Sequence, residues 1–288
     1  MENITLNNQI KIPPIGFGVF RVKEGEEVSQ SIKWALDAGY RLIDTAMIYN
    51  NEEGVGQAIQ DSGVPREEIF VTTKLWNIDQ GYESTLKAID LSLEKLGLSY
   101  VDLYLIHWPT ASAESDESGN YLSVNKRKET WKAMEEIYKS GKAKAIGVSN
   151  YTVEHLEEMK GYIEVPPAVN QVEFHPFLYQ EKLLKYCKDN NIVVEAHSPL
   201  APLADAKSEP YSKEPIKGIA QKHGKTEAQV LIRWSIEHGV IPLPKSVHKE
   251  RIVENLDVFD FELDAEDMKT LARLNVNLHV RRDPTFLK

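Results

Sequence analysis

The chain has 288 residues, of which 42% are hydrophobic and 27% charged, the composition of a soluble globular protein. Its net charge of -10 argues against a nucleic-acid or anionic-membrane partner, and its apolar runs are strand-sized, far short of the roughly 20 residues that span a bilayer. Cys187 is the single cysteine, so no intramolecular disulfide forms; with no basic-then-apolar stretch in Met1–Thr5, the expected location is the cytoplasm.

Ile4 to Ile12, with Asn7-Asn8 at the middle, reads as a small hairpin. Ile15-Gly16-Phe17-Gly18 reads as a first short strand. Further strand runs follow at Tyr40–Asp44, Ile69–Thr73, Val101–Ile106, Ala143–Val148, Ala168–Val172, Ile192–Ala196 and Val240–Leu243. Helical spacing of apolar residues lies between them, over Glu26–Leu36, Glu53–Ile59, Thr85–Leu96, Thr130–Tyr138, Tyr179–Lys188 and Thr226–Ile236. Gly39, Gly63, Gly97, Gly141 and Gly239 stand where those helices should stop. Trp34, Trp131, Trp234 and Cys187 fall on core faces of these helices and are expected to be structural.

Strand-plus-helix units repeated eight times predict a (β/α)8 TIM barrel with an N-terminal hairpin, as one domain over residues 1–288. Gly54-Val55-Gly56 is no dinucleotide fingerprint, because it follows Asn51-Glu52-Glu53 rather than a strand. Two stretches break the short-loop rhythm, Thr110–Asn125 and Leu200–Pro215. Each follows a strand, so each is expected as a long loop on the rim where barrels place their chemistry.

Four polar residues lie at or just past strand exits: Asp44, Tyr49, Lys74 and His107. A free phenol titrates near pH 10, and a neighbouring ammonium lowers that value. Lys74 would supply the ammonium and Asp44 would hold it, leaving Tyr49 as proton donor and His107 to orient a substrate oxygen. Singly, each has an ordinary reading: Tyr49 as an amphipathic surface residue, Lys74 as an ion-pair partner, His107 as an aromatic neighbour of Trp108, Asp44 as a cap. Their common position at the rim favours the chemical reading. With one imidazole among them, no metal is implied.

The segment Gly39 to Glu52, together with Ile241-Pro242-Leu243-Pro244-Lys245-Ser246 and Arg251-Ile252-Val253-Glu254-Asn255, resembles the signatures of the aldo-keto reductases, and the resemblance runs over essentially the full chain. The likeness is to microbial diketogluconate, glyoxal and general aldehyde reductases. It implies a monomer-sized barrel, the catalytic set Asp44, Tyr49, Lys74 and His107, and NADPH or NADP+ as cofactor, with NADH a weaker alternative. It also implies that Ser149, Asn150 and Gln171 bind the nicotinamide carboxamide. Ser198 and Leu200 would help hold the pyrophosphate; Lys245, Ser246, Arg251, Glu254 and Asn255 would hold the adenosine phosphate end. His197 stands where the family stacks a tyrosine or tryptophan on the nicotinamide, a smaller and more polar ring. Pro202 removes one N–H that could face a phosphate.

Phe20, Ile48, Trp76 and Trp108 are expected to wall a pocket for a small carbonyl substrate, with Tyr121 and the tail around Arg281 and Arg282 bordering it. The leading expectation is NADPH-dependent reduction of aldehydes and ketones. The alternatives are an NAD(P)-dependent polyol or sugar dehydrogenase and a non-catalytic NADP(H)-binding, redox-sensing partner, the latter disfavoured by the intact tetrad. No paired rim carboxylates are read that would suit glycoside hydrolysis, and Asp44 beside Lys74 argues against a Schiff-base lysine.

Overall fold

The computed structural model describes residues 2–110, 123–209 and 211–287. A hairpin of β1 (Ile4–Thr5) and β2 (Lys11–Ile12) precedes eight parallel strands: β3 (Phe17–Gly18), β4 (Leu42–Asp44), β5 (Phe70–Leu75), β6 (Val101–Ile106), β7 (Ala143–Ser149), β8 (Val169–Glu173), β9 (Val193–His197) and β10 (Ile241–Pro242). Each pairs with the next in chain order. The sheet closes on itself where Gly16 and Gly18 donate backbone hydrogen bonds to Pro242 and Pro244, at 3.0 and 3.1 Å. Glycine is required at that seam, since a Cβ on Gly16 would lie 2.5 Å from the Leu243 side chain. This is the expected (β/α)8 barrel.

Strand alternation sorts the side chains into an inner and an outer set. Leu42, Phe70, Leu103, Leu105, Ala145, Val169, Ile241 and Leu243 fill the lower barrel. Leu6 and Ile12 of the hairpin cap that cluster from below, each buried and each contributing about 1.5–3 kcal/mol by apolar burial. Asn7 and Asn8 tie the hairpin to the carbonyls of Pro167 and Lys144. The outer set, including Ile43, Val71, Tyr104, Ile146 and Val172, packs under the helices.

The helices read from periodicity are present, at Glu26–Ala38, Glu52–Asp61, Tyr82–Leu96, Ser123–Lys139, Glu181–Asp189 and Glu227–Glu237. Gly39 and Gly97 close two of them in the left-handed conformation. Gly54 and Gly56 sit inside the helix Glu52–Asp61, and a Cβ on Gly56 would lie 2.0 Å from the Leu96 carbonyl oxygen. These glycines therefore permit close helix packing. Trp131, Trp234 and Cys187 are buried as expected, Trp34 partly so, and burial pushes the Cys187 thiol up to about 12.

Beside Lys249–Leu256, which carries the Arg251–Asn255 segment, three further helices among the described residues lie outside the periodicity reading: Val153–Met159, Glu214–His223 and Ala265–Ala272. The first and last begin with capping boxes built from Thr152 with His155 and from Asp264 with Asp267, partners other than the usual Glu or Gln. The second carries Pro215 in its first turn, where a missing N–H removes no helical hydrogen bond. The stretch Leu200–Pro215, expected as a loop, also contains the short helix Ala201–Ala204. Tyr121, most of the stretch Thr110–Asn125, and Pro210 lie outside the described residues. Among the described residues, no helix is long and apolar enough to cross a membrane.

Candidate active site

The same alternation that makes the lower barrel apolar makes its upper rim polar. Two residues beyond inward Leu42 comes Asp44; Lys74 follows Phe70 and Thr72, and His107 follows Leu103 and Leu105. Ser149, Gln171, and the pair Glu195 and His197 take the corresponding positions on β7, β8 and β9. Asp44, Tyr49, His107, Ser149, Asn150, Gln171 and His197 line one cavity of about 490 Å³.

Lys74 is fully buried, and its ammonium donates to both Asp44 oxygens at 2.7 Å and to the Thr45 carbonyl at 2.8 Å. Burial pulls its pKa down, but Asp44 and Tyr49 overcome that and hold it above the ordinary lysine value. The ammonium lies 5.1 Å from the centre of the Tyr49 ring. Tyr49 sits on a one-turn helix, Met47–Tyr49, whose exit is stapled by Asn51. That buried amide donates to the Val19 and Val22 carbonyls and accepts from Thr45 Oγ1.

One expectation is corrected here. Lys74 was to lower the Tyr49 phenol, yet burial dominates and the phenol is raised, with Lys74 opposing only in part and Asp44 reinforcing the rise. Tyr49 is thus held neutral and keeps its proton. His107 is also neutral: burial, then the charge of Lys74, push it well below the usual imidazole value. Its ring meets Tyr49 edge-on at 5.7 Å and Trp76 at 5.3 Å.

The candidate cofactor residues are brought together in part. Gln171 Nε2 donates to Asp44 and to Glu195, each at 2.8 Å, which leaves its Oε1 as the free end of the amide. Ser149 donates to the Gln171 carbonyl, and Asn150 uses its amide hydrogens on the His107 carbonyl and Ser149. His197 Nε2 lies 2.9 Å from Asn150 Oδ1, and Nδ1 lies 3.2 Å from Ser198 Oγ, a pattern that suits the neutral ring; burial lowers its pKa to about 4. Ser198, Leu200 and Lys245 extend the same cavity. Ser246, Arg251, Glu254 and Asn255 do not line it; the last three are on the helix Lys249–Leu256, where Glu254 accepts from Thr226. Pro202 stands in the first turn of Ala201–Ala204, so the N–H it lacks is one that a helix start leaves unpaired.

On the other side, Phe20, Ile48, Trp76 and Trp108 line the cavity as expected. Phe20 packs 5.0 Å from the Tyr49 ring. Of the two tail arginines, Arg281 lines the cavity and Arg282 is exposed outside it. Arg281 reaches over Phe20 at 5.6 Å and pairs with Asp205 at 3.4 Å.

Sequence reasoning passed over two buried carboxyls, Glu173 and Glu195. Glu173 accepts the backbone N–H groups of Val280 and Arg281 at 2.7 and 3.0 Å, fastening the tail to the rim. Burial would raise its pKa, but hydrogen bonds from His175 and the tail, with His197, take it down to about 2. The signal was present: Glu173 lies two residues past Gln171, and Glu195 two before His197, on the same inward faces.

Over residues 14–276 the chain matches the family model described as the Aldo/keto reductase family. The glyoxal reductase of Bacillus subtilis (strain 168) is 49% identical over 286 residues, covering 99% of this chain and 97% of that protein. An aldo-keto reductase from a Medee basin deep-sea metagenome library superposes with a TM-score of 0.88 at 48% identity, over 97% of each chain. The Bombyx mori aldo-keto reductase in complex with NADP gives 0.90 at 37% identity, over 97% of this chain and 94% of that one. With this likeness spanning every strand that carries the rim residues, the chain belongs to the aldo/keto reductase family.

Proposed function

We propose that the cavity reduces small aldehydes and ketones, with Tyr49 delivering the proton to the carbonyl oxygen. The carrying observation is the fully buried Lys74, joined to Asp44 by two 2.7 Å hydrogen bonds beneath a tyrosine and a neutral histidine. The protein is an oxidoreductase of its family and uses NADP(H). The hydride for the carbonyl carbon would come from NADPH when it is bound. Every other function falls to the chain. Tyr49 arrives protonated, and the charged Lys74 stabilises the phenolate it leaves behind. Asp44 keeps Lys74 charged and immobile. His107, neutral, directs the substrate oxygen toward Tyr49.

The residues present suit a nicotinamide. Gln171 Oε1 accepts no hydrogen bond from the described residues, so it can take the carboxamide NH2. Ser149 and Asn150 exchange a present partner to serve the carboxamide oxygen. His197 offers a ring face at the cavity wall, and the exposed Lys245 offers cationic charge toward the phosphates. Phe20, Ile48, Trp76 and Trp108 favour a compact substrate with an apolar or planar side. Arg281, its backbone fastened by Glu173, favours one that also carries a carboxylate.

The family match over residues 14–276 supports reading the chain as one domain. The buried thiol supports a cytoplasmic setting, and the monomer carries over from the family resemblance, with light scattering as its check. The test of function is loss of reduced-cofactor absorbance across a panel of methylglyoxal, phenylglyoxal, 4-nitrobenzaldehyde, xylose and a diketo acid. It is run with NADPH, with NADH and with Tyr49→Phe. Turnover that prefers NADPH and collapses in the variant is expected. Tight NADPH binding without turnover would favour the redox-sensing alternative.

A further inference from the structure

Glu195 is a carboxyl that this chemistry leaves without a task. It is 1% exposed, points inward from β9 and lies two residues below His197. Its Oε2 accepts from Gln171 Nε2 at 2.8 Å, while Oε1 has no partner among the described residues. The same Gln171 nitrogen donates to Asp44 at 2.8 Å. An amide nitrogen carries two hydrogens, and here each goes to a carboxyl group. If the amide turned over, its oxygen would face both carboxyls. Asp44, whose two oxygens already take hydrogens from Lys74, accepts one amide hydrogen and so fixes which end of Gln171 is presented to the cavity, while Glu195 takes the second hydrogen.

The local charge count is unbalanced. Among Glu195 and the described residues that act on it, two carboxyls, its own and that of Asp44, face one ammonium, and that ammonium is bonded to Asp44. The neighbours of Glu195 are Asp44 from β4, Lys74 from β5, Gln171 from β8 and His197 on its own strand; Ile241, beside it on β10, is uncharged. Burial, then Asp44, push Glu195 up to about 8, while Lys74 stays charged and His197 stays neutral until far lower pH. A second positive charge at the rim would balance the count. The nicotinamide ring is neutral in the reduced cofactor and cationic in the oxidised one.

We propose that Glu195 takes the second amide hydrogen of Gln171 and is a redox-linked proton store, keeping its proton while the cofactor ring is neutral and releasing it to solvent when the ring is cationic. The proton returns when the oxidised cofactor is exchanged for the reduced one, so none is gained or lost over a cycle. It is distinct from the proton that Tyr49 gives the substrate. Glu195 is a positioning residue, and this reading rests on the nicotinamide occupying the cavity as proposed above.

Fluorescence titration of NADP+ and of NADPH, from about pH 6 to about pH 9, tests it without turnover. The 2'-phosphate is common to both forms, so its titration cancels in the ratio of their dissociation constants. In the native protein that ratio should shift about tenfold toward NADP+ as pH rises. In Glu195→Gln it should stay flat, because an amide has no proton to lose. A second measurement needs no variant: NADP+ added to the native protein in weak buffer near pH 7 should release protons, and NADPH should not. A flat ratio in the native protein, an equal slope in Glu195→Gln, or equal proton release with both forms would overturn the proposal. Binding of neither form would overturn the functional reading itself.

Discussion

Replacing Lys74 by methionine separates what the lysine does for the fold from what it does for the reaction. In the native protein its three hydrogens are all engaged, two on Asp44 and one on Thr45. Methionine leaves Asp44, 4% exposed, with Gln171 Nε2 as its one remaining donor among the described residues. Breaking a buried pair from one side costs about 3–5 kcal/mol, because the surviving charge is neither solvated nor paired. Replacing both partners removes that charge as well, so Lys74→Met combined with Asp44→Asn should return to within about 1–2 kcal/mol of the native protein. Urea denaturation of the native, single and double variants gives the coupling directly. Steady-state reduction by the same set gives the chemistry. Activity should stay at least about a hundredfold down in both Lys74→Met and the double variant, since no ammonium remains to stabilise the Tyr49 phenolate. A single-variant loss below about 1 kcal/mol, or additive losses in the double variant, would refute the buried-pair reasoning. Recovered activity in the stable double variant would show that Lys74 is structural alone.

Glu195 has a folded pKa of about 8, above its unfolded value, so folding takes up a proton between about pH 4.5 and pH 8 and stability falls as pH rises through that window. Glu195→Gln should therefore match the native protein near pH 4 and exceed it near pH 9 by a few kcal/mol, on the order expected from the shift, in denaturation measured at both pH values. Gly56→Ala would put a methyl 2.0 Å from the Leu96 carbonyl oxygen, forcing two helices apart. It should lower stability by roughly 1–3 kcal/mol or more in thermal unfolding; an unchanged midpoint would mean the helices slide freely. Arg281→Gln should raise KM several-fold for carbonyls bearing a carboxylate and leave uncharged aldehydes alone. An equal effect on both would make the arginine a tether for the loop around Asp205.

Much of this molecule is set locally. The apolar runs that became β4 to β9 and the amphipathic helices between them follow from side-chain spacing, which any short window of the chain contains. Strand alternation likewise determined that Asp44, Lys74 and His107 share the inward face with the core residues before them. Other features needed the closed barrel. The helix Glu214–His223 has few apolar positions and an early proline, so its own sequence argues weakly for it and packing decides. The seam between β3 and β10 joins the two ends of the sheet, and no local pattern shows that Gly16 and Gly18 must make room for Leu243. Burial is likewise a property of the assembled rim. The neighbouring ammonium predicted a lowered Tyr49 phenol, yet the walls around it raise it by desolvation. Glu195 reads in the sequence as one more charged residue on a strand. Only the barrel brings it against the amide that also holds Asp44, and removes the water that would otherwise have kept it ionised.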